Sequence, residues 1–396
     1  MSRQVRGNGS AACIVGIGQT EYRKWGGFND RTEFSLACEA VKNAADDSGI
    51  PLTEIDGFAS FANDFNESQL LQLGLGTGPL RFSGAQWGGG GAGACGAVAL
   101  AKMAVESGVA QNVVVVRGLA QGQRGRFGQF RAGRPFSNFM SPFGLFGPPQ
   151  MLALFAMRYM KQYNVTAEHL ARIVFNARAK AKQNPSAIFH HAPPLTLDAY
   201  LQSRWISEPF RLFDCTLETD GACALLVTTL ERARDLRQPV VRILAAAQGG
   251  NAGWGNGAIG THTQPFDEYT TGNHAGNAQH LYAESGVGPE DIRVAQVYDN
   301  FSLLPFFALE DYGFCARGEA AEFIASGGID GAAPRLALNT SGGHLAEAYL
   351  HGLNHVVEAT RQVRGESTNQ VADADLCLAV SSLGIAPTSA LILGRA

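Results

Sequence analysis

The sequence predicts an α/β fold in which one unit of strands and helices occurs twice. Apolar runs of strand length alternate with segments of helical periodicity, and the same order of elements recurs near the end of the chain. Hydrophobic residues make up 45% of the 396 residues and charged residues only 17%. Because an average soluble domain carries about 25% charged residues, this composition indicates a large core and buried interfaces between chains.

The first unit consists of three predicted strands with two predicted helices between them. Its strands are continuous apolar runs such as VVVV at 113–116, which is typical of a sheet that helices cover on both faces. A glycine run that ends at Gly91 precedes the second helix. The predicted elements are, in chain order, residues 12–17, 32–48, 55–61, 92–108 and 113–118. This β-α-β-α-β order predicts a sheet with helical crossovers.

The second unit repeats this order of elements, without an obvious repeat of individual residues. Its predicted elements are strand 240–247, helix 275–286, strand 294–299, a long helix from Gly342 to about Arg364, and strands 376–382 and 389–394. Residues 1–118 with 220–238 are predicted to form one half, and residues 239–396 the other. An inserted loop domain is predicted at 119–219.

Charge and cysteine content exclude several classes of protein. The chain has 31 Lys and Arg against 35 Asp and Glu, a net charge of −4, so a nucleic-acid partner is not expected. No stretch approaches the roughly 18 apolar residues of a membrane helix. The seven cysteines are scattered singly, without zinc spacing, and we expect no signal peptide, because the apolar run 11–17 is too short for one. We therefore expect reduced thiols and a cytoplasmic protein.

Two glycine turns precede predicted helices, one turn in each unit. Gly91 ends the first turn, and Gly342 and Gly343 follow Asn339 in the second. A glycine at a helix start lets a ligand approach backbone N–H groups, which favour anions and thioester oxyanions. A dinucleotide site is not predicted, because no acidic residue follows at the required distance. The two turns predict one shared cleft between the halves.

Three motifs resemble the thiolase superfamily. They are NTSGG at 339–343 before a helix, YDNF at 298–301 after a strand, and a strand, glycine turn and buried helix that end in Gly-Val-Ala at 108–110. The resemblance covers nearly the whole chain, and the most similar branch is that of the sterol carrier protein-type thiolases and their lipid-transfer relatives. It implies two βαβαβαββ halves in a five-layer αβαβα thiolase fold, usually as a homodimer.

The reactive residues of a thiolase are missing at the matching positions. Gly91 stands in the place of the nucleophilic cysteine, and Tyr349 replaces the histidine of the Gly-His-Pro motif. Ser381 or Ser382 replaces the late cysteine, and Tyr298 replaces the strand-end residue. Two tyrosines in a cleft without a nucleophile resemble the thiolase-like aldolases of steroid side-chain degradation. That resemblance implies retro-aldol cleavage of a β-hydroxyacyl-CoA to a ketone and a shorter acyl-CoA.

A retro-aldol reaction needs a base for the β-hydroxyl proton and hydrogen-bond donors for the enolate that forms at the thioester. The residues alone leave open which tyrosine is the base and which is the acid; our hypothesis is Tyr349 as the base and Tyr298 as the proton donor or the partner of the enolate. Because the ordinary pKa of a phenol is about 10, we expect the site to lower that pKa for base catalysis at neutral pH. The residues expected to line the cleft or to hold the oxyanion are Gly91, Gly343, His344, Asn300 and His351.

No cofactor is expected besides the CoA thioester that serves as substrate. His344, Glu347 and His351 recur at helical spacing, but a third strong ligand is not evident, so no metal site is predicted. Arg124 and Arg126 belong to a basic loop that is suited either to the phosphates of CoA or to an interface. The resemblance also implies a small partner with an OB fold and a zinc ribbon that binds the acyl-CoA.

Two other functions stay open at this point. A thiolase or acyltransferase would use Cys95, one helical turn after Gly91, as its nucleophile. A lipid carrier or scaffold subunit would bind acyl-CoA without turning it over. Tyr159, Tyr269 and Tyr312 are interpreted as core residues, because a buried tyrosine usually packs with its hydroxyl satisfied.

Overall fold

The computed structural model describes residues 11–62, 64–87, 90–123, 140–254, 268–331, 333–385 and 387–396. The strands are β1 Ala12–Gln19, β2 Arg23–Lys24, β3 Gly57–Phe61, β4 Phe82–Gln86, β5 Val113–Ala120, β6 Trp205–Ser207, β7 Phe210–Arg211, β8 Thr219–Thr229, β9 Val241–Gly249, β10 Val294–Val297, β11 Ala337–Leu338, β12 Leu376–Val380 and β13 Thr388–Arg395. The helices are α1 Glu33–Ser48, α2 Ser68–Leu75, α3 Ala94–Glu106, α4 Pro148–Tyr163, α5 Ala167–Ala181, α6 Leu197–Leu201, α7 Leu230–Ala233, α8 Ala275–Ser285, α9 Leu304–Asp311, α10 Ala320–Ala325, α11 Gly343–Ala346 and α12 Leu353–Arg364.

Two groups of five strands share one strand order. The groups run β4-β3-β5-β8-β1 and β11-β10-β12-β13-β9, which is 3-2-4-5-1 in each group when its strands are counted along the chain. Corresponding pairs also agree in direction: β3 is parallel to β4 as β10 is to β11, and β5 is antiparallel to β8 as β12 is to β13. β1 and β9 pair at Cys13 with Arg242 and join the groups. This shared topology supports the predicted duplication, while the residue boundaries of the halves stay a prediction.

Three apolar cores arrange the helices in layers. In the first core α1 packs on one face of the first group, with Leu36 against strand residues such as Val114. The second core contains Val98 of α3 and Val356 of α12 together with Val115, so these two helices lie between the strand groups. The third core joins α4, α5, α8, α9 and α10 to the remaining face of the second group. The result is the five-layer αβαβα order that the resemblance implies.

The prediction of one long helix after the second glycine turn is wrong. The segment forms two helices, α11 and α12, with the non-helical residues 347–352 between them. His351 at φ +51° and Gly352 at φ +91° adopt left-handed backbone conformations, which end a right-handed helix. His344, Glu347 and His351 therefore do not share one face of a single helix, and that prediction is wrong as well.

Several shorter elements are not indicated by the sequence pattern. β4 has the sequence FSGAQ and α2 spans eight residues, so neither carries a long apolar period. The strand predicted to reach residue 299 ends at Val297. The basic loop 124–136 and His262 lie outside the described residues. In the part of the chain that the structure describes, no helix is both long and apolar enough to cross a membrane.

Candidate active site

The hydroxyl groups of Tyr298 and Tyr349 contact each other between the two strand groups. Tyr298 directly follows β10, and its backbone N–H donates to the carbonyl of Val380 on β12 at 3.0 Å. Tyr349 lies in the non-helical segment 347–352. The Tyr298 hydroxyl donates a hydrogen bond of 2.9 Å to the Tyr349 oxygen. Tyr298 is 1% exposed and Tyr349 7% exposed, so both phenols are shielded from bulk water.

Thr219, the first residue of β8, holds the main chain of Tyr349. Its hydroxyl accepts from the Tyr349 N–H at 2.9 Å and donates to the Tyr349 carbonyl at 3.0 Å. Gly352 then passes close to Tyr298, because a Cβ at Gly352 would lie 3.0 Å from the Cδ2 atom of that ring. The break between α11 and α12 therefore places the Tyr349 side chain against Tyr298.

Gly91 lies against the ring of Tyr298. A Cβ at Gly91 would stand 1.9 Å from Cε2 of Tyr298 and 2.4 Å from its hydroxyl oxygen. The backbone N–H of Gly91 donates to that hydroxyl, and the Gly91 carbonyl accepts from the Ser382 N–H at 3.3 Å. The phenol of Tyr298 thus occupies the space into which a side chain at position 91 would point.

Burial raises the pKa of both phenols. The pKa of Tyr298 lies well above its ordinary value, and that of Tyr349 is raised to about 12. The expectation that the site lowers these pKa values is therefore wrong for the chain by itself. The pKa of Tyr349 rises less, because the hydrogen bond from Tyr298 and the charge of Arg117 favour its phenolate. Tyr349 is the more acidic phenol of the pair.

Arg117 on β5 is a site residue that the sequence analysis missed. Its side chain is buried, and Nη1 donates to the carbonyl of Phe61 at 2.9 Å. Nη2 lies 3.0 Å from Nδ1 of His351, whose ring packs edge-on against Tyr349 at 5.1 Å between centroids. The available signal was an arginine inside an otherwise apolar strand, since a charge seldom becomes buried without a partner.

Asp299, His344 and His355 form a buried polar cluster behind the tyrosines. Asp299 Oδ1 accepts from the backbone N–H of His344 at 2.7 Å, and lies 3.7 Å from Nδ1 of His344. Nε2 of His355 lies 3.3 Å from the same oxygen. The three side chains are close enough to hold a divalent ion. Asp299 Oδ1 already accepts from the backbone of His344, so the arrangement by itself does not require a metal ion.

Asn354 fixes the orientation of the His344 ring. The Asn354 amide nitrogen donates to Glu347 Oε2 at 2.9 Å and to the Ala348 carbonyl at 3.0 Å, so its oxygen faces Nε2 of His344 at 3.2 Å. Nε2 of His344 therefore carries the proton. The ring held in this way packs edge-to-face with the Tyr298 ring, at 4.4 Å between centroids.

The structure brings seven of the predicted site residues together. A Cβ at Gly343 would lie 2.3 Å from Asp299 Oδ2, and the Asn300 side chain contributes a hydrogen bond to Tyr349. The seven are Gly91, Tyr298, Asn300, Gly343, His344, Tyr349 and His351. Their chemical roles stay predictions. Arg124 and Arg126 lie outside the described residues.

Comparison with known proteins gives full-length relatives. The chain is 42% identical over 393 residues to the "Steroid side-chain-cleaving aldolase" of Thermomonospora curvata, covering 97% of this chain and 98% of the relative. It is 40% identical over 392 residues to the "17-hydroxy-3-oxo-4-pregnene-20-carboxyl-CoA lyase" of Mycobacterium tuberculosis, covering 97% and 99%. A family model described as "Thiolase C-terminal domain-like" matches residues 257–395.

The chain belongs to the thiolase-like aldolases. The solved structure of an "Ltp2-ChsH2(DUF35) aldolase" matches it with a TM-score of 0.90 at 41% identity, and the match covers 98% of both chains. The predicted family and the predicted thiolase fold are confirmed.

Cys95 of this thiolase-like aldolase does not offer a reactive thiol. It is buried in α3, where Sγ lies 3.5 Å from the Ala379 carbonyl and the backbone N–H donates to Ser381 Oγ at 2.9 Å. Burial raises the pKa of the thiol to about 12. Because acyl transfer needs a thiolate, the geometry does not favour Cys95 as a nucleophile.

The Cys95→Ala variant is expected to keep its turnover within about threefold of the parent and to lose about 1 kcal/mol of unfolding free energy. The reason is that the thiol packs in the core without contacting the phenols. Steady-state kinetics and chemical denaturation measure the two effects, with iodoacetamide treatment of the parent as a second probe. A loss above a hundredfold in a folded variant would instead favour acyl transfer through Cys95.

Proposed function

We propose that this chain is a carbon–carbon lyase that cleaves the CoA thioester of a β-hydroxylated steroid side chain by a retro-aldol reaction. The products are a ketone and a shorter acyl-CoA. The observation that carries the proposal is the 2.9 Å contact between the hydroxyls of Tyr298 and Tyr349, beside a glycine at the position of the thiolase nucleophile. The names of the two full-length relatives support the same reaction class and substrate class.

In the proposed reaction Tyr349 reacts as the phenolate and Tyr298 as the phenol. Because burial raises the pKa of Tyr349 to about 12, the reactive phenolate is the minor form at neutral pH, and its fraction grows as the pH rises. The Tyr349 oxygen takes the proton of the substrate's β-hydroxyl, and the electron pair of that O–H bond forms the ketone C=O bond. The bond between the α- and β-carbons breaks, and its electron pair becomes the enolate of the thioester. Tyr298 gives its proton to the α-carbon and regains one from Tyr349 across their hydrogen bond. The pair returns to its starting state without a covalent intermediate.

Backbone and side-chain donors support the charges that arise in these steps. The Gly91 N–H donates to the Tyr298 oxygen, which becomes negative when Tyr298 has given up its proton. Asn300 contributes a hydrogen bond to Tyr349 in the same way. We propose that Gly343 and His344 act by holding Asp299 in place, since Asp299 accepts from the His344 backbone.

We also propose a homodimer that binds a small acyl-CoA-binding partner with an OB fold and a zinc ribbon. β4 ends one side of the sheet, and an edge strand offers unpaired N–H and C=O groups to a second chain. Trp87, directly after β4, is 88% exposed, and Leu73 on α2 is 81% exposed. The name of the solved relative places ChsH2(DUF35) beside Ltp2. Arg124 and Arg126 are proposed to contact the CoA phosphates or this partner.

We propose a cytoplasmic location for the enzyme. All seven cysteines carry free thiols, and four of them are buried. Free thiols are typical of proteins that work in a reducing compartment.

Product analysis by mass spectrometry tests the proposed reaction. The chain, alone and with the partner encoded beside it, is incubated with a β-hydroxyacyl-CoA that bears a tertiary hydroxyl, and separately with a β-ketoacyl-CoA plus free CoA. We expect a ketone and a shorter acyl-CoA from the first substrate without added CoA. Cleavage of only the second substrate would mean a thiolase, and tight binding without turnover would mean a carrier. Light scattering of the same preparation tests the dimer.

A further inference from the structure

Arg117 projects from β5 toward His351, whose ring packs against Tyr349. Successive residues of a strand point to opposite faces, and Val113 and Val115 pack in the middle core whereas Val114 and Val116 pack in the α1 core. Arg117 therefore lies on the side of Val113 and Val115, toward α3 and α12. Its side chain is 3% exposed, so its positive charge is almost fully removed from water.

The contacts of Arg117 direct part of its charge toward Tyr349. Arginine has donors only, so Nδ1 of His351 accepts the 3.0 Å hydrogen bond from Nη2 and carries no proton. His351 is accordingly a neutral ring between Arg117 and Tyr349. On the other side, Nη1 forms an ion pair with Asp64 Oδ2 at 3.7 Å, a distance longer than a hydrogen bond. The Asp64 carboxylate accepts hydrogen bonds from Asn66 and from the hydroxyl of Ser60.

Within the described ranges of the chain, five ionisable groups face the Tyr349 phenol. Tyr298 faces it from the end of β10, and His344 faces it from α11 with ring centroids 5.1 Å apart. His351 and Arg117 face it from segment 347–352 and from β5, and Glu218 acts on it from the residue before β8. The largest effect on the pKa of the Tyr349 phenol is burial, which raises it. The hydrogen bond from Tyr298 and the charge of Arg117 lower this pKa, and the charge of Glu218 raises it. His344 and His351 are neutral, because burial holds their pKa values well below the ordinary range. Arg117 is therefore the cation among these five groups.

We propose that Arg117 is the counter-ion of the Tyr298–Tyr349 pair, held against the site by His351, and that it stabilises the single negative charge that the two phenols share during proton transfer. This inference rests on the proposed function, because the shared charge arises in the retro-aldol cycle. Arg117 acts through its field and through His351, so it is a positioning residue. No further bond to substrate is needed for this role.

Direct titration of the phenol at position 349 tests the inference. Tyr349 is replaced with difluorotyrosine, whose lower pKa brings the titration into a range where the protein is folded, and the fluorine NMR signal is followed with pH. The Arg117→Met variant is expected to move the midpoint of this titration upward by about one to two pH units. Arg117→Lys, which keeps a charge, is expected to move it by less than half as much.

Arg364→Lys is the matched control. Arg364 is also a buried arginine that bonds a strand carbonyl and a carboxylate, at Val15 and Asp47, but it lies outside the site. We expect the position-349 titration to stay in place in this variant. The proposal would be overturned if Arg364→Lys moved the titration midpoint as far as Arg117→Met does. It would also be overturned if a folded Arg117→Met variant left the midpoint unchanged. If Arg117→Met fails to fold, the comparison of Arg117→Lys with Arg364→Lys decides.

Kinetics separate this inference from the proposed function. In a chain with native tyrosines, Arg117→Met is expected to lower kcat at a fixed pH by about ten- to hundredfold. The reason is that the phenolate fraction falls about tenfold for each whole step by which the pKa of Tyr349 rises. If Arg117→Met leaves both the turnover and the titration of the position-349 phenol unchanged, the counter-ion role of Arg117 is rejected and the proposed reaction is not. If Arg117→Met moves the titration of Tyr349 but the parent protein cleaves no β-hydroxyacyl-CoA, the proposed reaction is rejected and the electrostatic coupling between Arg117 and Tyr349 stands.

Discussion

Replacement of Tyr349 by phenylalanine is expected to lower kcat about a thousandfold, with KM changed only a few-fold. The variant keeps the ring and its packing but loses the oxygen that takes the β-hydroxyl proton, and positioned acid–base groups contribute about a hundred- to ten-thousandfold. Tyr298→Phe is expected to cause a similar loss, because the enolate then has no adjacent proton donor. Steady-state kinetics with the β-hydroxyacyl-CoA measure both effects.

Tyr159→Phe is the control for this pair. Tyr159 is a buried tyrosine whose hydroxyl donates to Glu310, in the core of α4 and α9 rather than in the site. Its loss is expected to reduce the free energy of unfolding by about 1 kcal/mol and to leave kcat within about twofold. Full activity in either Tyr349→Phe or Tyr298→Phe would contradict the assigned roles. Loss of activity in Tyr159→Phe would show that the kinetics report on stability alone.

The second large effect concerns Gly91. Gly91→Cys restores the residue type of a thiolase nucleophile, yet the variant is expected to lose at least a hundredfold in aldolase kcat and to gain no thiolase activity. The cause is steric: even the Cβ atom would stand 1.9 Å from Cε2 of Tyr298, so the ring must leave its place. Overpacking of this kind costs about 1–3 kcal/mol of stability. Thermal unfolding and product analysis of one preparation test both parts.

A double variant separates the clash from the chemistry. In Gly91→Ala with Tyr298→Ala the obstructing ring is absent, so the unfolding penalty of Gly91→Ala should largely disappear in the double-mutant cycle. Activity should stay low, because the proton donor is gone. Additive unfolding penalties would show that Tyr298 and position 91 do not compete for one space.

The sequence predicts the parts of the molecule in which local pattern and tertiary contact agree. Buried strands such as β5 are runs of apolar residues, so hydrophobicity predicts that they exist and where they begin, while β5 continues to Ala120, two residues beyond its predicted end. The paired tyrosines follow from motif positions, since YDNF and NTSGG stand at fixed places in the thiolase pattern. Both kinds of information are local in the sequence, which is why they can be predicted without coordinates.

The remaining features depend on contacts between distant segments. The break at residues 347–352 is set by the left-handed backbone of His351 and by Thr219, which is 130 positions from Tyr349. The raised pKa of Tyr349 is a consequence of burial by both strand groups, which no motif encodes. Arg117 becomes part of the site only because β5 and the segment with His351 are packed together.

The hydrogen bonds between Thr219 and Tyr349 join residues of the two strand groups, so the position of a proposed catalytic side chain depends on how these groups pack. β8 with Thr219, and the turn at Gly91, belong with the first strand group, whereas Tyr298 and Tyr349 come from the second. The second group supplies both phenols, and the first group supplies the Thr219 side chain and the Gly91 backbone that contact them. We therefore expect catalytic activity to require the packing of the two strand groups against each other. A molecule in which this packing opens is expected to be inactive, even while its individual strands and helices persist.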